Sequence, residues 1–582
     1  MDTLRENEPL LPSNSAGNNH NARNTARRAK IRKALPYGLV TLVLFVVAVV
    51  LLVLLVEPHK GIKSQTPAVC TTQSLLRLSI FPSNTLHHVI MYLMVVYPSF
   101  IVAVEEPVDA PIDSPFSGYL RTPAIFTHLE QLYDVALKHN NSRSVTNGYL
   151  ASAEYVQMQL KANAAEFCEV STQEFKVPVW KELEEPKLFS VGIGGEQVQV
   201  EYQNKVDFQN FRYNGPSTTL KNQAIQGVAN HGCRAKDHKN LNGKIAVIEE
   251  GSENCDLWTA AYHSQKAGAT GVLFFNSATR KELRYSEIRI DAWKEGDPLI
   301  SIPVLSITNS LGSILLQNQH STTLTLTTKN SQTVESTINV LCTTKHGQAN
   351  DTIVIGAHLD SVPEGPGIVD NGSGSSAILE IVLTLAKNID ASSLEIKNKV
   401  VFAWWGAEEI GLLGARHYVR DLAGQGEDAR REVSLNLNFD MLASPNYVPY
   451  IHDGSSAPDS LIVSSTKLDH LLGEYFELHK KGFEYADMSG GSDYLPFLDE
   501  GIPAGGLMTG ASRKKSMEQR KRFGGFANAQ LDPCYHQSCD TLDNVSKEAL
   551  ELMSQAALHA ITKLATSKNL RDWLSNGSTQ IL

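Results

Sequence analysis

Between Ile125 and Lys161 the apolar residues recur at helical spacing: Ile125, Leu129, Leu132 and Ala136, then Tyr149, Ala153, Val156 and Leu160. That spacing predicts two amphipathic helices, and a strand follows around Gln173 to Trp180. From about residue 187 the texture changes to short β runs such as LFSVGIGG, VQVEY, GKIAVIEEG, TGVLFFN and TTLTLTT, divided by Gly and Asn turns. One helix, Leu257 to Ala267, sits among them. Past residue 332 strand and helix patterns alternate. The apolar run 352–355 and the segments 399–406 (KVVFAWWG) and 435–439 (LNLNF) read as buried strands, and the stretch after Asp370 has helical character. Alternation of this kind predicts an α/β fold, interrupted here by a small β-rich domain.

Two further apolar runs lie upstream. Gly38 to Val56 holds 19 residues without a charge, about the length a bilayer core demands. Arg23, Arg27, Arg28, Lys30, Arg32 and Lys33 precede it, which orients that end to the cytoplasm and predicts a type II anchor over 35–57, behind a cytoplasmic tail, 1–34. The second run, 89–104, is shorter and broken by Pro98. It reads as part of a stalk, 58–119, rather than a second span. Glu6 to Leu11 (ENEPLL) resembles an acidic dileucine sorting signal, which points to a vacuole or lysosome first and the cell surface second. Sequons at Asn140, Asn350, Asn544 and Asn576 are usable in a luminal protein.

Composition narrows the classes. At 582 residues, 42% hydrophobic and 20% charged, the chain is ordinary for a multi-domain globular protein. Its net charge of −10, with no basic patch in the folded part, argues against nucleic acid as a partner. Seven cysteines are too few for a disulfide scaffold, though Cys534 and Cys539 can staple a loop.

The candidate chemistry gathers at the ends of the predicted strands. His358 follows the first run and Asp360 stands two residues on; Asp370 closes the next loop. The strand KVVFAWWG ends in Glu408 and Glu409, LNLNF ends at Asp440, and His536 lies in a polar loop between Cys534 and Cys539. Strand ends are where open α/β sheets carry their sites. Singly each residue is commonplace; together, two histidines and three carboxylates suit two zinc ions with one shared carboxylate, roughly 3.5–4 Å apart. Neighbouring glutamates point different ways, so one can bind metal while the other faces a water as base.

The ordered blocks GAHLDS (356–361), VDNGSGSS (369–376), WWGAEEIGLLGARHYV (404–419), NFDM (438–441), SGGSDYLPF (489–497), GIPAGGL (501–507), FGG (523–525) and DPCYHQSCDT (532–541) resemble di-zinc aminopeptidases of the aminopeptidase Y type. The likeness runs from about 120 to 570. The GKIAVI strand (243–248), Cys255 and the QKAGATGV turn (265–272) resemble a protease-associated domain. The resemblance implies a zinc-exopeptidase fold, a mixed β-sheet flanked by helices, in two parts (120–186 and 333–570) around an insert at 187–332, with a C-terminal tail over 571–582. It assigns His358 and Asp440 to one zinc, Glu409 and His536 to the other, and Asp370 between them. Glu408 becomes the base, Tyr535 donates to the oxyanion, and Asp360 supports His358. Cys233 pairs with Cys255 in this reading. The substrates implied are peptides with a free N-terminus; the alternatives are a carboxypeptidase of the glutamate carboxypeptidase kind and an inactive receptor-like ectodomain. One departure stands out: relatives commonly have Arg where this chain has Gly491.

Overall fold

The computed structural model describes residues 115–575 apart from 196–197, 252–255, 277–282, 284–292 and 390–394. The expected anchor, the run 89–104, Cys255 and Asn576 lie outside the described residues. Among the described residues no helix is long and apolar enough to cross a membrane.

The two predicted helices are α1 (Thr122–Lys138) and α2 (Tyr149–Asn163), and each buries its predicted stripe. Then comes a surprise of scale. The strand expected around 173–180 is β1 (Cys168–Val191), 24 residues long. The insert follows with β2 (Gln199–Tyr202), β3 (Phe208–Asn210), β4 (Thr218–Gly227), β5 (Ile245–Glu249), α3 (Leu257–Lys266), β6 (Gly271–Phe275), β7 (Val304–Ile307) and α4 (Asn309–Gln317). The chain returns along β8 (Thr323–Thr344), which pairs antiparallel with β1 from Cys168↔Thr344 to Val191↔Thr323. One two-stranded ribbon therefore belongs to both parts, and residues 187 and 332 fall inside continuous strands. A buried disulfide, Cys168–Cys342, ties its peptidase end; the sequence reading had not paired these cysteines.

The second half holds β9 (Gln348–His358), α5 (Gly374–Asn388), β10 (Asn398–Trp405), α6 (Leu413–Gln425), α7 (Glu427–Glu432), β11 (Val433–Phe439), β12 (Tyr450–Asp453), α8 (Ile462–Leu478), β13 (Glu484–Asp487), α9 (Tyr494–Asp499), β14 (Ala504–Met508), α10 (Met517–Phe523), α11 (Lys547–Thr566) and α12 (Leu570–Ser575). The peptidase strands run in the order β13-β12-β14-β11-β9-β10-β8, with β1 beyond β8. The sheet is mixed: β14, β11, β9 and β10 are mutually parallel, whereas β12 meets β14 and β8 meets β10 antiparallel. Strands with neighbours on both edges and helices on both faces are buried along their length; β11 is buried at all seven positions, and its polar Asn436 and Asn438 donate to the Val354 carbonyl and to Ser492.

The main core joins Ile355, Phe402, Trp404, Leu437 and Phe439 to helices α1, α2, α5, α8 and α11. The Trp404 indole is buried and donates to the Ser375 carbonyl at 3.0 Å, fixing α5 over the sheet. Truncating it to Ala would cost about 3–5 kcal/mol through the cavity left behind. Gly356 is glycine for a steric reason, since a Cβ there would stand 2.3 Å from the Trp405 indole nitrogen. Phe116 and Leu120, expected in or next to a stalk, are buried in this core, as are Trp573 and Leu574, expected in a tail. Apolar side chains of that size leave water wherever a surface is offered, so the folded unit takes in these residues on either side of the expected boundaries.

Candidate active site

The parallel strands β9, β10 and β11 end side by side, and each delivers a predicted residue. His358 is the last residue of β9, Glu408 and Glu409 follow β10, and Asp440 follows β11. Asp370 arrives from the helical turn that leads into α5. His536 comes from the loop closed by the Cys534–Cys539 disulfide, whose Cα atoms are 5.3 Å apart.

All converge. The Asp370 carboxylate lies between the two histidines, with Oδ1 3.2 Å from His358 Nε2 and Oδ2 3.2 Å from His536 Nε2. On one side Asp440 Oδ1 is 3.3 Å from His358 Nε2; on the other Glu409 Oε2 is 3.1 Å from His536 Nε2. Glu408 stands further off, 4.0 Å from His358 Nε2. Tyr535 stacks on the His536 ring at 3.8 Å between centroids.

This concentration of carboxylates fits cations. Ligand atoms of His358, Glu408 and Asp440, and of Asp370, Glu409 and His536, form two sets, each mutually within 4.8 Å. Glu409 Oε1 and Asp440 Oδ1 are buried without a hydrogen-bond partner among the described residues, a state that is unfavourable unless a positive charge is at hand. Nitrogen and oxygen donors in sets this small suit zinc. The electrostatics agree. Burial works against a charged His358 and His536, yet the surrounding carboxylates outweigh it, holding His358 well above its ordinary value and His536 at about 11. Burial lifts the Glu408 carboxyl well above the usual range.

Around the cluster a second layer fixes the geometry. The Asp360 carboxylate, expected to support His358, sits 3.7 Å from His358 Nδ1, while its backbone carbonyl is nearer at 3.2 Å. The carboxylate also accepts the backbone N–H groups of Glu408 and Glu409, at 3.1 and 3.2 Å. It thus steers both glutamates. Three contributors escaped the sequence reading. Asp540 accepts the N–H groups of Val369 and Asp370 at 3.0 Å each and so holds the central carboxylate's own backbone. Ser492 donates to Asp440 Oδ2 at 2.7 Å. Arg143, fully buried, donates to the carbonyls of Leu359, Pro366 and Gly367, bracing the loop between His358 and Asp370. A lone Arg in a polar turn some two hundred residues upstream carries no sequence signal for that task.

Two further expectations meet the structure here. Asn544 is buried, and its amide donates to Asp532 and Asp540, so a glycan cannot be attached without breaking the loop; Asn140 and Asn350 are exposed. Gly491 has φ +90° and nothing within 4 Å of where a Cβ would project. It lines a cavity of about 250 Å³ that opens from the cluster toward β12 and β14, walled by Met441, Tyr450, Met508 and Leu531.

Comparison with known proteins agrees with the resemblance drawn from the sequence blocks. The profile of Peptidase family M28 matches residues 339–561, and that of the PA domain matches 220–315. An aminopeptidase of Pseudomonas aeruginosa is 34% identical over 463 residues, covering 78% of this chain and 82% of the relative. A probable leucine aminopeptidase 2 of Aspergillus fumigatus is 36% identical over 348 residues, 58% of this chain and 66% of the relative. Among solved structures, the aminopeptidase from Aneurinibacillus sp. strain AM-1 has the same fold, with a TM-score of 0.56 at 23% identity, covering 77% of this chain and 95% of that one.

Proposed function

The chain belongs to peptidase family M28 and is a metal-dependent aminopeptidase, and from that premise we propose how its residues divide the work. The observation that carries the reading is the Asp370 carboxylate, one oxygen facing each histidine at 3.2 Å. His358 and Asp440 would hold one zinc ion and Glu409 and His536 the other, with Asp370 reaching both sets. Bound there, the ions would supply Lewis-acid chemistry for the scissile carbonyl and the attacking water.

The chain's own groups do the rest. Glu408, further from His358 than either Asp370 or Asp440, is left free of the metals to take the water's proton and pass it to the departing amine. Tyr535, held against His536, donates its hydroxyl to the oxyanion. Asp360 and Asp540 keep the glutamates and Asp370 in register through backbone N–H groups. The substrate's free α-amine, a cation, sits against the cluster's carboxylates, and its first side chain enters the cavity beside Gly491.

The disulfides Cys168–Cys342 and Cys534–Cys539 support an oxidising compartment. With the apolar run 38–56 and the basic residues before it, they favour a type II membrane enzyme with a luminal catalytic part, in a vacuole or lysosome, glycosylated at Asn140 and Asn350. The test is a pair of peptides that differ only by N-acetylation, assayed with and without chelator. Chelator-sensitive release of the first residue from the free peptide alone supports the reading; equal cleavage of the acetylated form contradicts it.

A further inference from the structure

The metal-binding cluster has two flanks. On the β12–β14 flank lies the cavity that receives the first side chain; on the other, beyond β10, the β1–β8 ribbon carries the insert. The β12–β14 flank taken by the first side chain leaves the insert flank open to the rest of a peptide. There a second cavity of about 370 Å³ lies between the ribbon, the insert and the loop residues Pro363 and Glu364. That loop is part of the approach to Asp370, and it abuts the His536 loop so closely that a Cβ at Gly365 would stand 2.2 Å from the Gln537 carbonyl oxygen. The second cavity thus shares a wall with the cluster.

Its lining is polar and charged. Trp180 Nε1 and Gln209 Nε2 are buried donors, and Asn204 Oδ1 a buried acceptor, with no partner among the described residues. Buried polar atoms are rarely left so; these three belong to residues of the cavity wall and are closed off from water, so a peptide group would reach them only as the side chains turn toward it. Lys181, Lys205 and Arg212 add three cations. Against them stand two carboxylates, Glu182 and Glu364, and Glu182 already accepts from Asn210 at 2.8 Å. Lys205 is held only loosely, 3.9 Å from Glu185 with both side chains exposed.

We propose that this cavity is a binding site for the downstream part of the substrate, and that its lysines take a carboxylate there: the C-terminal carboxylate of a short peptide or an acidic side chain past the scissile bond. The proposal rests on the aminopeptidase reading and adds to it a substrate class, short or acidic-tailed peptides. Trp180, Asn204 and Gln209 bind the backbone, and Lys181 and Lys205 select the charge.

The experiment compares full-length enzyme with a Lys181→Ala/Lys205→Ala double variant, both solvent-reaching positions where loss of the amine leaves the fold intact. Substrates are a tripeptide and a tetrapeptide as free acids, the same peptides as C-terminal amides, and the amides with Glu as the last residue. In the wild type KM for at least one free acid should fall roughly tenfold below its amide, the size of one charge-assisted hydrogen bond, with kcat little changed. The double variant should close that gap. Trp180→Phe, which keeps the ring and loses the N–H, should raise KM for acid and amide together. Recovery of the low KM by the Glu-ended amide identifies a side-chain carboxylate as an equivalent ligand. Equal KM for acid, amide and Glu-ended amide in the wild type, or a gap that survives in the double variant, overturns the proposal. Failure of the wild type to release any N-terminal residue would instead sink the aminopeptidase reading.

Discussion

The two halves of the metal-binding cluster are built differently. His358 and Asp440 stand on the ends of β9 and β11, central strands paired on both edges, and the His358 side chain is 1% exposed. His536 stands on a loop, with φ +57° and 36% of its side chain exposed. One half inherits its geometry from the sheet. The other needs local devices: the five-residue Cys534–Cys539 staple, and Asp540, which reaches from the loop to the backbone of Asp370. The contrast teaches that the Asp370 carboxylate spans a half held by the sheet and a half held by a loop; on the two-ion proposal, the loop half should be the first to yield its ion.

The largest expected effect leaves both halves intact and removes only the proton acceptor. Glu408→Gln should lower kcat by about a hundred- to ten-thousandfold while metal content stays that of the wild type; loss of metal with activity would make Glu408 a ligand instead. Next, Cys534→Ser/Cys539→Ser should weaken the loop half, costing its ion roughly 10- to 100-fold in affinity. A chelator titration would then resolve two steps where the wild type shows closer ones. Simultaneous loss of both ions would erase the distinction between the halves. Asp360→Asn should act on both glutamates at once, because it weakens the acceptor of their two N–H groups; about a tenfold fall in kcat/KM is expected. The smallest effect on activity belongs to the disulfide at the peptidase end of the ribbon. Cys168→Ser/Cys342→Ser should destabilise the fold by about 2–5 kcal/mol, read as a lower Tm, with turnover at room temperature unaltered.

The same contrast explains what the sequence could reveal. Residues on the central strands were legible because burial on both faces shows as strongly apolar stretches, and a charged or polar residue at the end of one is conspicuous: His358, Glu408 and Glu409 follow such a run, and Asp440 follows LNLNF, where Leu and Phe alternate with Asn. The loop half was visible through its resemblance to known blocks rather than through periodicity, since DPCYHQSCD has no apolar pattern to read. The long ribbon was underestimated because much of β1 faces solvent. Glu, Lys and Pro178 interrupt its apolar alternation, yet backbone pairing with β8 carries it on for 24 residues. Arg143, Asp540 and Ser492 were missed for a related reason: each acts through partners remote in sequence, and only folding brings them together. Asn544 shows the reverse error, a motif satisfied in sequence and consumed in structure by Asp532 and Asp540.

The central claim is that Asp370 is shared between two ions, and metal content per chain tests it most directly. Zinc-loaded wild-type protein and Asp370→Ala, both shown to be folded by circular dichroism, should be compared by elemental analysis after gel filtration. The account predicts two zinc ions per chain in the wild type and at most one in the variant. Two ions retained by folded Asp370→Ala, or a single ion in the fully active wild type, would contradict it.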